Sequence, residues 1–348
     1  MYTPIKDMAK SMKAWIPDIP AAYSVKPEFW GIADEESIRN GVLAFRDFML
    51  LLYDRLMTDG NLYDKPPKEE GHVSRAFEAT YPFLNHLRSV LVNMVYQGSL
   101  SAQTLYVNWE SLVHILGPRG EWMSKAKISG PKLIEVLRFL TRCGVHVSGI
   151  DLDAKKSNLS QAKTLVITVP DNPAVLTGMK VMATAHKRFD DKDYNDVLLR
   201  CDYRILKAEK TDVMEFLKEF ANPLPEKARD FALSLHRRYI EQSLRYRAII
   251  GLGHRFLYFH KNTELFSLES GRILIKAKKI QQDPDIIRSF ALPLQEKINK
   301  GYGCEKKLYG LPCQHGCHGY SFPLDESILD LSKDIETWLD YEVSCLRK

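Results

Sequence analysis

The chain is 348 residues long, 45% apolar and 27% charged, with a formal net charge of +5. That composition excludes a disordered chain and leaves room for two or three domains with cores of their own, while six cysteines are too sparse for a disulfide framework. No stretch reaches the roughly 18 uninterrupted apolar residues of a membrane span. The densest run, Phe45 to Met57, is broken by Arg46, Asp47, Asp54 and Arg55, so no membrane partner is expected. The opening residues lack the apolar run and cleavage site of a secretory signal, which leads us to expect a cytoplasmic protein with reduced thiols.

After a Pro-rich, aromatic lead-in, Asp34 can cap a helix carrying Ile38, Val42, Phe45, Met49, Leu52 and Leu56 at helical spacing, stopped by Asp59-Gly60. Paired prolines and charge mark residues 61–72 as a loop, and a second helix is predicted from about Val73 to Gln97. Ser101 can cap a third that carries Leu105, Trp109, Leu112 and Leu116 up to Gly117-Pro118. Residues 1–119 therefore read as a helical unit.

Residues 120–210 read as a small α+β unit. Gly130-Pro131 opens a helix through Leu133, Val136, Leu137 and Leu140 to Gly144. VHVSGIDL and TLVITVP are β-branched strands on either side of the linker DAKKSNLSQAK, and another helix runs from about Pro173 to Phe189. The order helix, strand, strand, helix suits a winged helix with a basic hairpin tip (Lys155, Lys156, Lys163) or half of a ferredoxin-like sandwich. The linker has no tight-turn pair such as Asn-Gly, which favours the second.

Residues 211–348 read as mainly helical. Thr211 can cap DVMEFLKEF, and a longer helix is predicted from Pro225 to Ile250 through Phe231, Leu235, Tyr239, Tyr246 and Ile249. FLYFH and RILIKAKKI look like short strands, and a helix from about Asp325 closes the chain. The expected fold class is thus α+β and predominantly helical, with a helical N-terminal unit, a small strand-containing centre and a helical C-terminal part holding a Cys/His-rich loop at 301–323.

That loop is the most concentrated site-like feature. Cys304, Cys313 and Cys317 offer three thiolates, and His315 or His318 can complete the tetrahedral set that Zn²⁺ takes in structural sites. Five glycines between 301 and 319 and two prolines by 323 let the backbone fold tightly round an ion. Only Cys313 to Cys317 keeps the usual C-x₂₋₄-C interval, so a structural turn with incidental thiols stays open. So does a reactive thiol, Cys317, its pKa lowered by the adjacent His318.

Positive charge concentrates in the middle of the chain, with 16 Lys and Arg against 11 Asp and Glu in residues 120–210 and the same in 211–300. Lys227 to Lys261 holds eight cations against Asp230 and Glu241. There Arg237, Arg238, Arg245, Arg247 and Arg255 lie among tyrosines and phenylalanines, a pattern that contacts phosphates and stacks on bases. The alternative is a solvated face, or pairing with the acidic C-terminal helix. The leading expectation is a regulatory protein that binds nucleic acid through this basic centre and holds structural zinc. Alternatives are an enzyme using Cys317 or a cluster-bound metal, and an interaction module without chemistry.

Overall fold

The computed structural model describes residues 4–63, 82–116, 130–153, 162–188, 196–251, 253–269, 271–300 and 319–347. It is α+β and predominantly helical, and divides into two compact units, Met1–Thr211 and Asp212–Lys348. No described helix is long and apolar enough to cross a membrane.

In the first unit, α1 (Ile5–Ala14) arises from the lead-in, where no helix was predicted. It packs on α2 (Glu35–Asp59), which buries the predicted stripe from Ile38 to Leu56. Asp34 caps α2: its carboxylate accepts the Ser37 hydroxyl at 2.6 Å and the Ser37 N–H at 2.9 Å, bonds that hold its pKa below the ordinary value. The main partner of α2 is α6 (Ala174–Arg188). The two helices meet through glycines, and a Cβ at Gly178 would lie 1.9 Å from the Gly41 carbonyl oxygen. Only two residues without side chains permit this approach. The helix α3 (Pro82–Gln97) also packs on α6. Its last carbonyls, on Val95 and Tyr96, together with that of Gly98 accept the Lys180 ammonium at 3.0, 2.6 and 2.7 Å. A cation from a neighbouring helix thus supplies the cap that α3 lacks.

The third predicted helix is corrected. Its first half is a hairpin, β1 (Ser99–Ser101) and β2 (Thr104–Asn108), and only α4 (Trp109–Leu116) is helical. The turn residues Ala102 and Gln103 both take left-handed backbone angles, φ 46° and 62°, as a two-residue hairpin requires. Neither is the Gly or Asn that would have announced the turn. Asn108 ends the strand and starts the helix, its side-chain oxygen accepting Ser111 N–H at 2.8 Å.

The centre then follows the predicted order: α5 (Gly130–Arg142), β3 (His146–Ser148), β4 (Thr164–Thr168) and α6. The antiparallel sheet runs β1-β2-β4-β3, so the last strand inserts between the second and the third. Leu105, Val107, Leu165 and Ile167 point inward, while β2 packs against α3 and β3 against α5. Beyond α6, the fully buried Asp202 accepts Arg204 Nε at 2.7 Å and pairs with the fully buried Arg200 at 3.0 Å.

The second unit departs further from a mainly helical reading, because it holds a five-stranded antiparallel sheet in the order β5-β6-β7-β8-β9. After α7 (Val213–Ala221), which Asp212 rather than Thr211 caps, α8 spans Glu226–Glu241. The predicted helix stops nine residues early at a turn where Ser243 takes φ 64°. The strands are β5 (Arg245–Ile249), β6 (Arg255–His260), β7 (Thr263–Glu269), β8 (Arg272–Ile275) and β9 (Tyr320–Pro323). Tyr246 and Ile249 match a helical stripe only because their spacing continues that of Tyr239.

One face of this sheet buries Phe256, Tyr258, Phe266, Ile273, Ile275 and Tyr320. Tyr239 of α8 meets Phe266 edge-on at 5.3 Å, and Trp338 meets Tyr320 at 4.9 Å. Trp338 belongs to α11 (Ser332–Arg347), which with the 3₁₀ turn Glu326–Leu331 forms the predicted closing helix; α9 (Pro284–Ser289) and α10 (Leu292–Asn299) lie between β8 and β9. The buried Glu342 accepts three N–H groups, from Ile280 at 2.8 Å, Lys279 at 3.0 Å and the Trp338 indole at 3.1 Å. It fastens the turn after β8 to the last helix.

Candidate nucleic-acid interface

In α5, the residues Leu133, Ile134, Val136, Leu137, Phe139 and Leu140 are all buried, so two of every three side chains face the core. What remains outside is a narrow polar stripe of Lys132, Glu135, Arg138 and Arg142. Arg138 reaches from it to the segment just after β3, donating to the Leu152 carbonyl at 2.6 Å and to Asp153 at 3.0 Å. Arg142 donates to the Tyr63 hydroxyl at 3.1 Å. The helix stripe and the first arm of the β3–β4 hairpin are therefore held side by side. On the second arm Lys163 is exposed, while its carbonyl accepts Trp109 N–H at 3.0 Å and fixes the start of α4. Lys155 and Lys156 lie outside the described residues. The sequence reading did not single out this stripe. Its signal is the triplet rhythm of polar residues at 132, 135 and 138 in an otherwise apolar helix.

The five arginines of the second unit separate. Arg245 and Arg247 on the edge strand β5 and Arg255 on β6 project from one face, because Arg247 pairs in register with Leu257 and Ile249 with Arg255. All three are exposed, with Arg245 bonded to the Lys261 carbonyl and Arg255 4.0 Å from Glu269. Arg237 and Arg238 lie on α8 instead. Arg238 is bonded to Asp340 and lies 3.5 Å from Glu336, both on α11. These carboxylates raise its pKa further. The pairing with the acidic last helix, weighed as an alternative, thus accounts for Arg238. Phe256 and Tyr258 belong to the core. Tyr246 is 40% exposed and stands edge-on to His236.

Cys304, Cys313, His315, Cys317 and His318, proposed as zinc ligands or, for Cys317 and His318, as a reactive pair, lie outside the described residues. Among the described residues no group of three or more His, Cys, Asp or Glu is placed to hold a metal. Buried Cys143 and Cys201 are inert thiols: burial pushes Cys143 up to about 11 and Cys201 higher still. Two buried histidines serve packing. His236 bonds the Tyr258 hydroxyl at 2.8 Å, its pKa lowered by burial, and His254 lies 3.3 Å from Glu219.

No protein-family model, no curated protein and no solved structure matches the chain.

Proposed function

We propose that this is a nucleic-acid-binding protein that presents the polar stripe of α5 to a duplex groove, with the β3–β4 hairpin alongside as a wing. The observation that carries the reading is the chain path α3-β1-β2-α4-α5-β3-β4 with β4 inserted between β2 and β3. Two helices precede the hairpin, as in a helix-turn-helix followed by a wing, whereas a ferredoxin-like half has one helix between the strands that flank the inserted one. No described strand after α6 joins the sheet to complete a sandwich. Arg138, Arg142 and Lys163 supply phosphate contacts, and the exposed pair of Arg138 with Asp153, worth at most about 1 kcal/mol, yields readily to a phosphate. Arg245, Arg247 and Arg255 offer a separate, sequence-independent contact from the second unit.

The test is anisotropy of a labelled mixed-sequence duplex across a salt series. Binding at low salt is expected, with a log–log slope reduced by about 1.8 in the double variant Arg138→Glu, Lys163→Glu if each contacts one phosphate. No duplex binding at low salt, or an unchanged slope in a variant with native circular dichroism, refutes the interface. We further propose structural zinc in the 301–323 loop, with Cys304, Cys313, Cys317 and one of His315 and His318 as ligands. About one zinc per chain that disappears with Cys313→Ser is expected. A Cys317 that labels rapidly below the roughly 8.5 pKa of a free thiol, without added chelator, argues for the reactive thiol instead.

A further inference from the structure

Four aromatic side chains are at least 40% exposed among the described residues: Trp30, Tyr96, Tyr106 and Tyr246. Tyr96 lies against the last turn of α6, and Trp30 follows two residues after the carbonyl to which that turn bonds. Lys187 stands 5.8 Å from the Tyr96 ring centroid, and Lys180 stands 5.9 Å from it. The next residue, Arg188, donates to the Glu28 carbonyl at 3.4 Å, beside the 3₁₀ turn Pro27–Phe29 that ends at Trp30. Trp30 is 51% exposed and Tyr96 42%. Single exposed aromatics are ordinary, but two bracketing an adjacent Lys-Arg pair are not a scatter.

We propose that this patch binds a short stretch of single-stranded nucleic acid, its bases stacking on Trp30 and, as Lys187 swings from over the ring to a phosphate, on Tyr96, with Arg188 meeting a second phosphate. The chemistry is that of single-strand platforms, in which aromatic faces receive bases of any sequence and neighbouring cations track the backbone. The patch is rigid. Lys180 ties α3 to α6 next to Tyr96, and the glycine contact holds α6 against α2. An acidic peptide would use the cations but has no flat π-face to bring to both rings. The surface is distinct from the α5 stripe, so it stands whether or not that stripe reads a duplex.

The experiment is anisotropy of a labelled oligothymidylate of about 12 nucleotides, against the full chain, with a salt series. Trp30→Ala and Tyr96→Ala are each expected to weaken binding about tenfold, and Tyr96→Phe to leave it within about twofold, because the ring does the stacking. Lys187→Glu with Arg188→Glu is expected to shrink the log–log salt slope by about 1.4. Binding of the duplex used above stays unchanged in Tyr96→Ala, which separates the two surfaces. Single-strand binding that is absent, or equal in wild type and both alanine variants, overturns the proposal. So does sedimentation with phosphatidylserine vesicles that Trp30→Ala abolishes in a chain that ignores the oligonucleotide, which would assign the patch to a lipid surface.

Discussion

Replacing Gly178 with Ala tests the packing that underlies the first unit. The new Cβ would lie 1.9 Å from the Gly41 oxygen, 2.5 Å from the Gly41 carbon and 2.8 Å from Phe45 Cβ. Two of these atoms are backbone of α2, so no rotamer change relieves the contact, and the helices must part by more than an ångström. Separation loosens the buried layer of Val42, Phe45, Val181 and Met182 around the crossing. Overpacking of this kind costs about 3 kcal/mol or more, against which alanine returns about 1 kcal/mol of helix propensity. The net loss is about 2 kcal/mol, or a fall of roughly 4–8 °C in the midpoint for a unit of this size. Thermal unfolding followed by circular dichroism reads it, with Gly31→Ala as control, since nothing lies within 4 Å of a Cβ there. A Gly178→Ala midpoint equal to or above wild type would show that the helices do not meet through this pair.

Three further outcomes follow from buried groups. Glu342→Ala strands three N–H donors and is expected to destabilise the second unit by about 3 kcal/mol or more, read by urea unfolding; a loss under about 1 kcal/mol counts against the described bonds. Native-state thiol labelling at pH 8 should spare Cys143 and Cys201 and release both only on unfolding, and fast labelling of Cys201 would contradict its burial. Burial depresses the pKa of His236, so as pH falls below the ordinary 6.5 the unfolded chain takes up a proton that the folded one resists. Stability of the second unit therefore declines with acidification through that value and levels off below the folded pKa, and His236→Gln should flatten the decline. A variant with the same pH dependence as wild type would remove this histidine from the account.

Where one physical signal dominates, the sequence is readable. The stripe of α2 with its Asp34 cap, the Gly-Pro start of α5 and the β-branched run of β4 each follow from a local pattern. The hairpin β1–β2 escapes because Ala102 and Gln103 adopt left-handed angles that their identities do not advertise. Tertiary pairing of Leu105 with Ile167 and Val107 with Leu165 enforces that turn. The end of α8 is lost for a related reason. Ser243 makes the break, and the following Arg245–Ile249 becomes a strand because β6 is there to receive it. In the basic segments, composition locates charge but not its destination.

That destination decides how the positive excess in the middle of the chain bears on function. Arg200 and Arg204 are spent on one buried carboxylate, Lys180 on the carbonyls that end α3, and Arg238 on Asp340. These cations stabilise the fold, and a partner would have to break buried or multiply bonded contacts to reach them. Arg138 also makes two bonds, but its carboxylate partner Asp153 is almost fully exposed and, like the Leu152 carbonyl, lies on the hairpin arm itself. Water already weakens that pair, so exchanging it for a phosphate costs little. A search for the interface by counting arginines leads to α8, where Arg238 is occupied. Asking instead which cations in the middle of the chain meet a largely exposed carboxylate leads to Arg138 beside Asp153 and Arg288 beside Asp285, and only the first reaches a hairpin arm, which is the physical basis for proposing the duplex there.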